Sequence, residues 1–253
     1  SYEPGDENAI GGLFTQAFSR PMPENSWTWR FVDNPAGPGV VMLAWDGDVL
    51  AAHYAVTRIP ISIDGNDGFS GLSGTTMTHP SYRGLGLFPK LATLTYDRMR
   101  ESDMSMVWGF PNVNSHRGFM ENLSWVDMWE VPTLRQNVSE ASIVTDPSDN
   151  VAEVYSFDER FDCFWEEVRS QYRVIVRRDS GYLTWRYSMN PSQKYRILAY
   201  EDERGLAGYA VFKRYQNELQ VVDLLTIKDS GVGQQLICQI GRIALQEQAE
   251  AVS

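Results

Sequence analysis

Two stretches of the chain place apolar runs on both sides of a tight polar turn. The first, Gly39 to Val56, has its turn at Asp46 and Gly47. The second, Tyr195 to Phe212, has its turn at Glu201 to Gly205. Apolar runs that flank a short turn containing Asp and Gly are typical of a β-hairpin. We therefore predict one hairpin in each half of the chain.

The elements around the two hairpins follow the same order. Apolar positions at helical spacing precede each hairpin, and a strand and an amphipathic helix follow it. The predicted elements are, in the first half, helix 9–18, strand 68–77, helix 87–100 and a further strand 104–110, and, in the second half, helix 161–172, strand 218–227 and helix 233–248. This order predicts a mixed α/β fold of the α+β type, with mixed sheets.

A short motif is also repeated at a constant offset of 156 residues. Trp29-Arg30 recurs as Trp185-Arg186, and Asn34-Pro35 recurs as Asn190-Pro191. We interpret the chain as two tandem halves, residues 1–144 and 145–253. For the repeated tryptophans and arginines we favour core anchoring and structural hydrogen bonding, and substrate contact is the alternative.

The charge balance narrows the range of partners. The 253 residues carry a formal net charge of −11, whereas nucleic-acid binding requires clustered Lys and Arg. No apolar run approaches the ~20 residues of a membrane helix, and the first residues do not resemble a signal peptide. The cysteines and histidines lack metal-site spacing. We expect a cytoplasmic protein without metal, nucleic-acid or membrane binding, in which Cys163 and Cys238 are buried, reduced thiols.

A glycine-rich turn follows the third predicted strand of the first half. The sequence from Arg83 to Phe88 reads R-G-L-G-L-F and leads into an amphipathic helix. Two glycines let the backbone approach a ligand, and a helix start offers free N–H groups and the positive end of its dipole. Such a turn suits a pyrophosphate. It has neither the Gly-Lys-Ser/Thr of a P-loop nor the G-x-G-x-x-G of a dinucleotide fingerprint.

The turn resembles the pyrophosphate loop of the GNAT acetyltransferases, which reads Arg/Gln-x-x-Gly-x-Gly/Ala between the fourth strand and third helix of that family. Arg83 to Leu87 fit this pattern, whereas Phe88 stands where the family usually has a small residue. Residues 106–128 are similar to the fifth strand, the fourth helix and the start of the next strand of the family. Together with Trp-x-Trp-Arg, Asn-Pro and Gly-Phe-Pro-Asn, the pattern resembles members that acetylate nucleotide-linked amino sugars.

The resemblance implies where acetyl-CoA, the co-substrate of the family, would bind. The pantetheine arm would insert between the parted fourth and fifth strands of the family, and the loop amides would hold the pyrophosphate. Polar side chains after the fifth strand would form hydrogen bonds near the thioester or the adenosine. The implied cofactor-binding residues are Met77, Thr78, His79, Arg83, Gly84, Leu85, Gly86, Leu87, Phe88, Asn112, Asn114 and Ser115.

The implied reaction is direct attack of a primary amine on the thioester, with backbone N–H groups stabilising the oxyanion. The usual acid of the family is a tyrosine of the fourth helix, and that position is Met120 here. His116, four residues earlier, is our leading acid–base candidate, and the alternative is a polar residue of the first helical turn. His79 is the second catalytic candidate. His53 is expected to pack or to face solvent.

The second half retains Gly231-x-Gly233 but lacks the loop arginine, and Asp229 lies where phosphates would bind. We therefore predict a degenerate second half and one active site per chain. The expected acceptor is a small-molecule amine, with a nucleotide-linked amino sugar as one candidate. The alternatives are a non-catalytic acyl-CoA-binding module and a tandem-GNAT aminoacyl transferase, which the acidic charge disfavours. A homodimer and the completeness of the C-terminus stay open.

Overall fold

The structure is a computed structural model that describes residues 1–139, 149–228 and 231–253. The chain divides into two compact units, Ser1–Trp129 and Glu130–Ser253, called unit 1 and unit 2 below. The boundary that the sequence predicts between residues 144 and 145 lies outside the described residues.

Unit 1 is built from four helices, α1 to α4, and four strands, β1 to β4. The helices span Glu7–Phe18, Ser26–Phe31, Leu87–Glu101 and His116–Leu123, and the strands span Val40–Asp46, Val49–Ile63, Asn66–Thr78 and Met104–Trp108. The strands pair in the order β1-β2-β3-β4. Strands β1 and β2 form the predicted first hairpin. The β2–β3 pair is antiparallel and the β3–β4 pair is parallel, so the sheet is mixed.

Each face of this sheet carries an apolar layer. Helices α1 and α2 cover one face with a cluster that includes Ile10 and Trp27. Helices α3 and α4 cover the other face with a cluster that includes Leu91 and Phe119. Successive side chains of a strand point to opposite faces. We call the two sides the α1/α2 face and the α3/α4 face.

The core tryptophan of the first repeated motif is Trp27 and not Trp29. Trp27 is 3% exposed, whereas Trp29 is half-buried. Positions four apart share one face of a helix, and α2 turns Trp27 and Phe31 together toward the sheet. In the second copy, Trp185 is buried as expected, at 3% exposure.

Unit 2 contains three helices, α5 to α7, and seven strands, β5 to β11, within the described residues. The helices span Glu159–Val168, Ser180–Leu183 and Val232–Gln246, and the strands span Gln136–Asn137, Val151–Val154, Val174–Val176, Arg196–Asp202, Gly205–Tyr215, Glu218–Thr226 and Ala251–Val252. A mixed sheet has the order β5-β11-β10-β9-β8-β6, in which β8 and β9 form the predicted second hairpin. The predicted mixed α/β fold is confirmed.

A buried polar cluster lies in the apolar interior of unit 2. The carboxylate of Asp223 on β10 accepts two hydrogen bonds from Arg178 Nε, both at 3.1 Å. It also accepts from the hydroxyls of Tyr187 at 3.0 Å and Tyr209 at 3.2 Å. Burial alone would lower the pKa of Arg178, but the adjacent Asp223 carboxylate outweighs burial and raises it. The negative charge of the buried Asp223 carboxylate is therefore paired with the positive charge of Arg178, as burial of a carboxylate requires.

Two sequence expectations are wrong. Residues 124–135 form no strand after α4, and the apolar side chains of Val126, Met128 and Trp129 are largely exposed. Cys163 is exposed rather than buried. The buried stripe of α5 consists of other positions, so Cys163 faces away from the core; these positions are Phe161, Phe164, Trp165 and Val168.

Candidate active site

Strands β3 and β4 part at one end of the sheet of unit 1. Their parallel pairing ends at Leu72 opposite Trp108, which is the last residue of β4. Strand β3 continues to Thr78. From Ser73 onward, β4 therefore no longer pairs with β3. An extended ligand can pair with such an edge as an added strand would.

The predicted pyrophosphate turn lies between a 3₁₀ turn at Pro80–Tyr82 and helix α3. Gly84 and Gly86 have φ angles of 80° and 71°, which glycine adopts readily. The surrounding space is open, because a Cβ at either glycine would meet no atom within 4 Å, and Leu85 between them is 60% exposed. Gly86 is the N-cap of α3, and no side chain caps that helix start. The first N–H groups of α3 are therefore available to an anion.

Two cations flank this turn. Arg83 precedes the first glycine and Lys90 lies in the first turn of α3, and both are exposed. Neither side chain has a hydrogen bond or an ion pair with another residue that the structure describes. The first turn of α3 also contains no acidic residue. The local charge therefore favours an anion, although the whole chain is acidic.

Phe88, the residue that departs from the family pattern, points away from the turn. Its ring centroid lies 5.2 Å from that of Phe119 and 5.9 Å from that of Tyr54. Gly118 on α4 leaves room for it, because a Cβ there would lie 3.2 Å from Phe88 Cε1. Leu87 packs in the same layer. The bulky side chain thus fills the space between α3 and α4 and leaves the loop amides open.

Strand β3 has a bulge within the stretch that β4 leaves. Thr75 and Thr76 together stand opposite a single residue of β2, Tyr54. Thr75 has a φ of 58°, and a β-branched residue in such a conformation is strained by about 1–3 kcal/mol. The Oγ1 of Thr76 is buried and has no hydrogen-bond partner in the described part of the chain. Met77 beyond the bulge is buried, and Thr78 is half-buried.

His53 contacts this bulge from the α1/α2 face. Its Nδ1 lies 2.8 Å from the carbonyl oxygen of Thr75, and its Nε2 lies 3.1 Å from the indole nitrogen of Trp27. A carbonyl only accepts and an indole N–H only donates, so the proton of a neutral ring is on Nδ1. Burial lowers the pKa of His53 to about 4. The ring is therefore neutral near pH 7 and packs inside the fold.

Arg30 supports the same strand. Its Nε donates to Thr57 Oγ1 at 2.7 Å, and its guanidinium lies 5.3 Å from the ring centroid of Phe31. The guanidinium also covers Gly74, because a Cβ there would lie 2.8 Å from Arg30 Cζ. Any larger residue at this position would have to displace the guanidinium where it crosses β3. These contacts agree with the structural role that the sequence favoured for Arg30.

A chain of hydroxyl groups lies on the α3/α4 face. Ser73 Oγ donates to the hydroxyl of Tyr54 at 3.1 Å, and the hydroxyls of Tyr54 and Tyr96 are 2.9 Å apart. The indole N–H of Trp125 donates to Tyr96 at 2.9 Å. Burial raises the pKa of both tyrosines above the ordinary value. The two phenols therefore stay protonated and are poor proton donors near neutral pH.

In the sequence, the predicted catalytic residue His79 lies between β3 and β4, and the other, His116, follows β4. His116 begins α4, and its Nε2 is 2.8 Å from Asp127 Oδ1, with the two side chains 44% and 68% exposed. Met120 lies one turn further along α4 and is half-buried. His79 follows β3, and its Nδ1 accepts from the N–H of Ser81 at 3.2 Å. Both histidines are half-buried.

The polar residues predicted to contact the cofactor after β4 bond mainly to one another. Asn112 Oδ1 accepts from the N–H groups of Asn114 at 3.0 Å and Ser115 at 3.1 Å. Ser115 Oγ accepts from the N–H of Asn112 at 3.2 Å. These bonds shape the turn that leads into α4. The side chain of Asn114 is exposed.

The counterpart turn in unit 2 is described only in part. Gly231 has a φ of 68° and is the N-cap of α7, which resembles the position of Gly86 before α3. Asp229 lies outside the described residues. The degenerate character of the second half therefore stays a prediction.

Sequence reasoning missed the bulge and the residues around it. Thr75, Thr76 and Tyr96 were not predicted as site residues, and His53 was assigned no function. One signal was present, because the run from Ser73 to Thr76 has a glycine within a predicted strand. Such a glycine often marks a bulge or a close backbone approach.

Neither a metal site nor a membrane span is found in the described ranges. No three His, Cys, Asp or Glu side chains there are grouped so that they could hold a metal ion. None of the helices in those ranges is both long enough and apolar enough to cross a bilayer.

Comparisons with known proteins bear on the family and the fold of the chain. No curated protein matches the chain. In structure, the chain is similar to a conserved protein of Enterococcus faecalis V583 described as a probable N-acyltransferase, with a TM-score of 0.70 and 12% identity over 99% of this chain and 62% of that chain. The chain is also similar to a GCN5-related N-acetyltransferase from Anabaena variabilis, with a TM-score of 0.69 and 14% identity over 99% of this chain and 63% of that chain.

A more distant similarity is to the N-myristoyltransferase of Saccharomyces cerevisiae with bound myristoyl-CoA. Its TM-score is 0.55 and its identity is 9%, over 99% of this chain and 73% of that chain. Identities this low show the fold alone. The chain spans less than two thirds of the length of the Enterococcus and Anabaena proteins. Residues 1–126, just under half of the chain, match the family described as acetyltransferase (GNAT) domain.

Proposed function

We propose that the protein is an N-acetyltransferase that moves the acetyl group of acetyl-CoA to a primary amine of a small molecule. The observation that supports this most directly is the open turn at Gly84 and Gly86, which leads into the uncapped start of α3. This anion site follows β3 directly, the strand that extends beyond its partner β4. The family match over residues 1–126 and the fold of the similar structures support an acyltransferase.

The residues present fit an acyl-CoA. The N–H groups from Gly84 to Phe88 would hold the pyrophosphate, and Arg83 and Lys90 would add positive charge. The edge of β3 beyond Leu72 would pair with the amides of the pantetheine arm. The buried, unpartnered Oγ1 of Thr76 provides a hydrogen-bonding group at that edge. A protein of similar fold binds myristoyl-CoA, which supports an acyl-CoA as the ligand.

In the proposed reaction, the amine nitrogen bonds to the thioester carbon while both substrates are bound. The carbonyl oxygen then carries the negative charge, which a backbone N–H of β3 would stabilise. The C–S bond breaks, the amine loses one proton, and the thiolate gains one, so the products are an amide and free CoA. His116, which Asp127 can orient, is the candidate that moves this proton, and His79 is the second candidate.

The finer proposal for the acceptor is an amino sugar linked to a nucleotide. It rests on the resemblance of the Trp-x-Trp-Arg, Asn-Pro and Gly-Phe-Pro-Asn motifs to family members with that acceptor. One observation favours a second candidate function, an acyl-CoA-binding module without catalysis. Met120 stands where the family has its acid, and no methionine can supply a proton.

Calorimetric titration of acetyl-CoA into the protein tests the binding site. Gly86→Trp would place a large side chain in the open turn and should abolish binding that is micromolar or tighter in the wild type. Gly65→Trp is the matched control, since Gly65 also has a positive φ, of 81°, with open space around it, in the β2–β3 turn. Absence of acetyl-CoA binding by folded wild type would refute the proposed function. Binding without turnover on a broad amine panel would favour the non-catalytic module.

A further inference from the structure

The peptide between Thr75 and Thr76 is held in one orientation. Its carbonyl oxygen faces Nδ1 of His53 on the α1/α2 face. The described peptide bonds are all trans, and the C=O and N–H of a trans peptide point in opposite directions. The N–H of Thr76 is therefore directed away from His53, toward the α3/α4 face. That is the side of the sheet on which the pyrophosphate turn leads into α3.

This orientation has a conformational cost that the surroundings must offset. A left-handed threonine is uncommon, and such residues persist where neighbouring groups over-determine them, often at functional sites. His53 is 1% exposed and is fixed by two directional hydrogen bonds, one to Thr75 and one from Trp27. Arg30 lies over the preceding residue, Gly74, from the same face. His53 and Arg30 thus both contact the bulged part of β3 from the α1/α2 face.

The corresponding strand of unit 2 has no such arrangement. The offset of 156 residues relates His53 to Tyr209, whose hydroxyl donates to the side chain of Asp223 and not to a backbone carbonyl. Every residue of β10 is described, and none of them has a positive φ. The histidine and the left-handed threonine therefore occur together in unit 1, which carries the turn from Arg83 to Phe88.

We infer that His53 is a positioning residue for acyl transfer, which holds the Thr75 carbonyl so that the Thr76 N–H points at the thioester oxygen. The inference rests on the proposed function. The histidine itself does not meet the substrate and exchanges no proton. Its lowered pKa agrees with this, because a neutral Nδ1–H donor is what the contact with Thr75 requires. Without this contact, the peptide is free to rotate and its N–H loses alignment with the developing charge.

A pair of substitutions separates positioning from packing. In His53→Asn, the side-chain amide can place an N–H where Nδ1 lies and retain the bond to Thr75. In His53→Gln, the longer side chain reaches toward Trp27 and loses the bond to Thr75. Each variant removes one of the two hydrogen bonds of His53, so a merely structural role predicts similar losses of stability and of kcat. Tyr209→Phe, which removes one buried hydrogen bond at the related position of unit 2, is the control for a general loss of stability.

The readouts are kcat for acetyl transfer, the Kd of acetyl-CoA, and the amide resonance of Thr76 in ¹H–¹⁵N NMR spectra. We expect kcat within about threefold of wild type for His53→Asn and a loss of about 100-fold or more for His53→Gln, as for the removal of an oxyanion donor. The Kd of acetyl-CoA should change little in either variant. The Thr76 resonance should shift on addition of acetyl-CoA in wild type and His53→Asn but not in His53→Gln.

Equal kcat values for the two variants would overturn the inference, as would a Thr76 resonance that does not respond to bound acetyl-CoA in the wild type. A loss of kcat in Tyr209→Phe equal to that of His53→Gln would also overturn it, because the effect would then reflect stability. Failure of the proposed function gives a different result, namely a wild type that does not bind acetyl-CoA or that binds it and shows no turnover with any amine.

Discussion

Replacing His53 with asparagine should weaken the response of the stability of unit 1 to acid. Burial lowers the pKa of His53 from 6.5 to about 4 in the folded chain, while the unfolded chain keeps the ordinary value. Between these two values the unfolded chain binds a proton at this ring and the folded chain does not. The free energy of unfolding therefore falls as the pH decreases from 6.5 toward 4.

The size of the effect follows from the two pKa values. A tenfold difference in proton affinity is worth about 1.4 kcal/mol, so complete titration of His53 would cost about 3 kcal/mol. Between pH 7 and pH 5 the loss is about 2 kcal/mol. This is a large share of the stability of a protein domain, which is about 5–15 kcal/mol.

Urea denaturation at pH 7, 6 and 5, followed by circular dichroism, measures this loss. Carboxylate groups titrate in both proteins, so the difference between wild type and His53→Asn isolates the histidine. We expect that difference to change by about 2 kcal/mol across the range. A difference that stays constant, or an NMR titration in which the ring of His53 takes up its proton near pH 6.5, would refute the buried, neutral histidine.

Four further substitutions, two of them combined in one variant, test other parts of the structure by urea denaturation. Thr75→Asn should raise the free energy of unfolding by about 0.5–1 kcal/mol, because asparagine tolerates a φ of 58° better than threonine does. A lower urea midpoint for this variant would contradict backbone strain at Thr75. Asp223→Leu should lower the free energy of unfolding by about 3 kcal/mol. Adding Arg178→Met should recover only part of this loss, because the hydroxyls of Tyr187 and Tyr209 still lack their acceptor, and no recovery would argue against the ion pair. Tyr96→Phe should lower the free energy of unfolding by about 1–2 kcal/mol, because the indole N–H of Trp125 loses its acceptor. An unchanged free energy of unfolding would show that the bond between Trp125 and Tyr96 does not stabilise the fold.

Local patterns in the sequence were sufficient for the hairpins and for the glycine turn. The apolar runs of β1 and β2 and the turn at Asp46 and Gly47 depend on neighbouring residues. The positive φ of Gly84 and Gly86 follows from a residue type that adopts it freely. These features could be predicted because their causes lie within a few residues.

The bulge of β3 could not be predicted in this way. Its left-handed residue is threonine, which disfavours that conformation, and its stabilising partner His53 lies 22 residues away in the sequence. The prediction of a strand after α4 was wrong for a related reason. Apolar residues such as Val126 and Met128 fit a strand, but a strand also requires a partner edge for its backbone hydrogen bonds.

The direction in which the side chain of Phe88 points could not be predicted from the sequence either. The sequence shows only that a large residue stands where the family has a small one. The space that receives its ring depends on Gly118, which lies on a different helix. Long-range packing of this kind leaves no mark in the periodicity of either helix.

Acetyl transfer itself is the most direct test of the central claim. The measurement is the release of free CoA from acetyl-CoA by the wild type, with and without each amine of a panel that includes nucleotide-linked amino sugars. We predict release that depends on one class of primary amine, saturates with acetyl-CoA and is lost in Gly86→Trp but kept in Gly65→Trp. Acetyl-CoA that binds the turn but is not consumed with any amine would contradict an acetyltransferase.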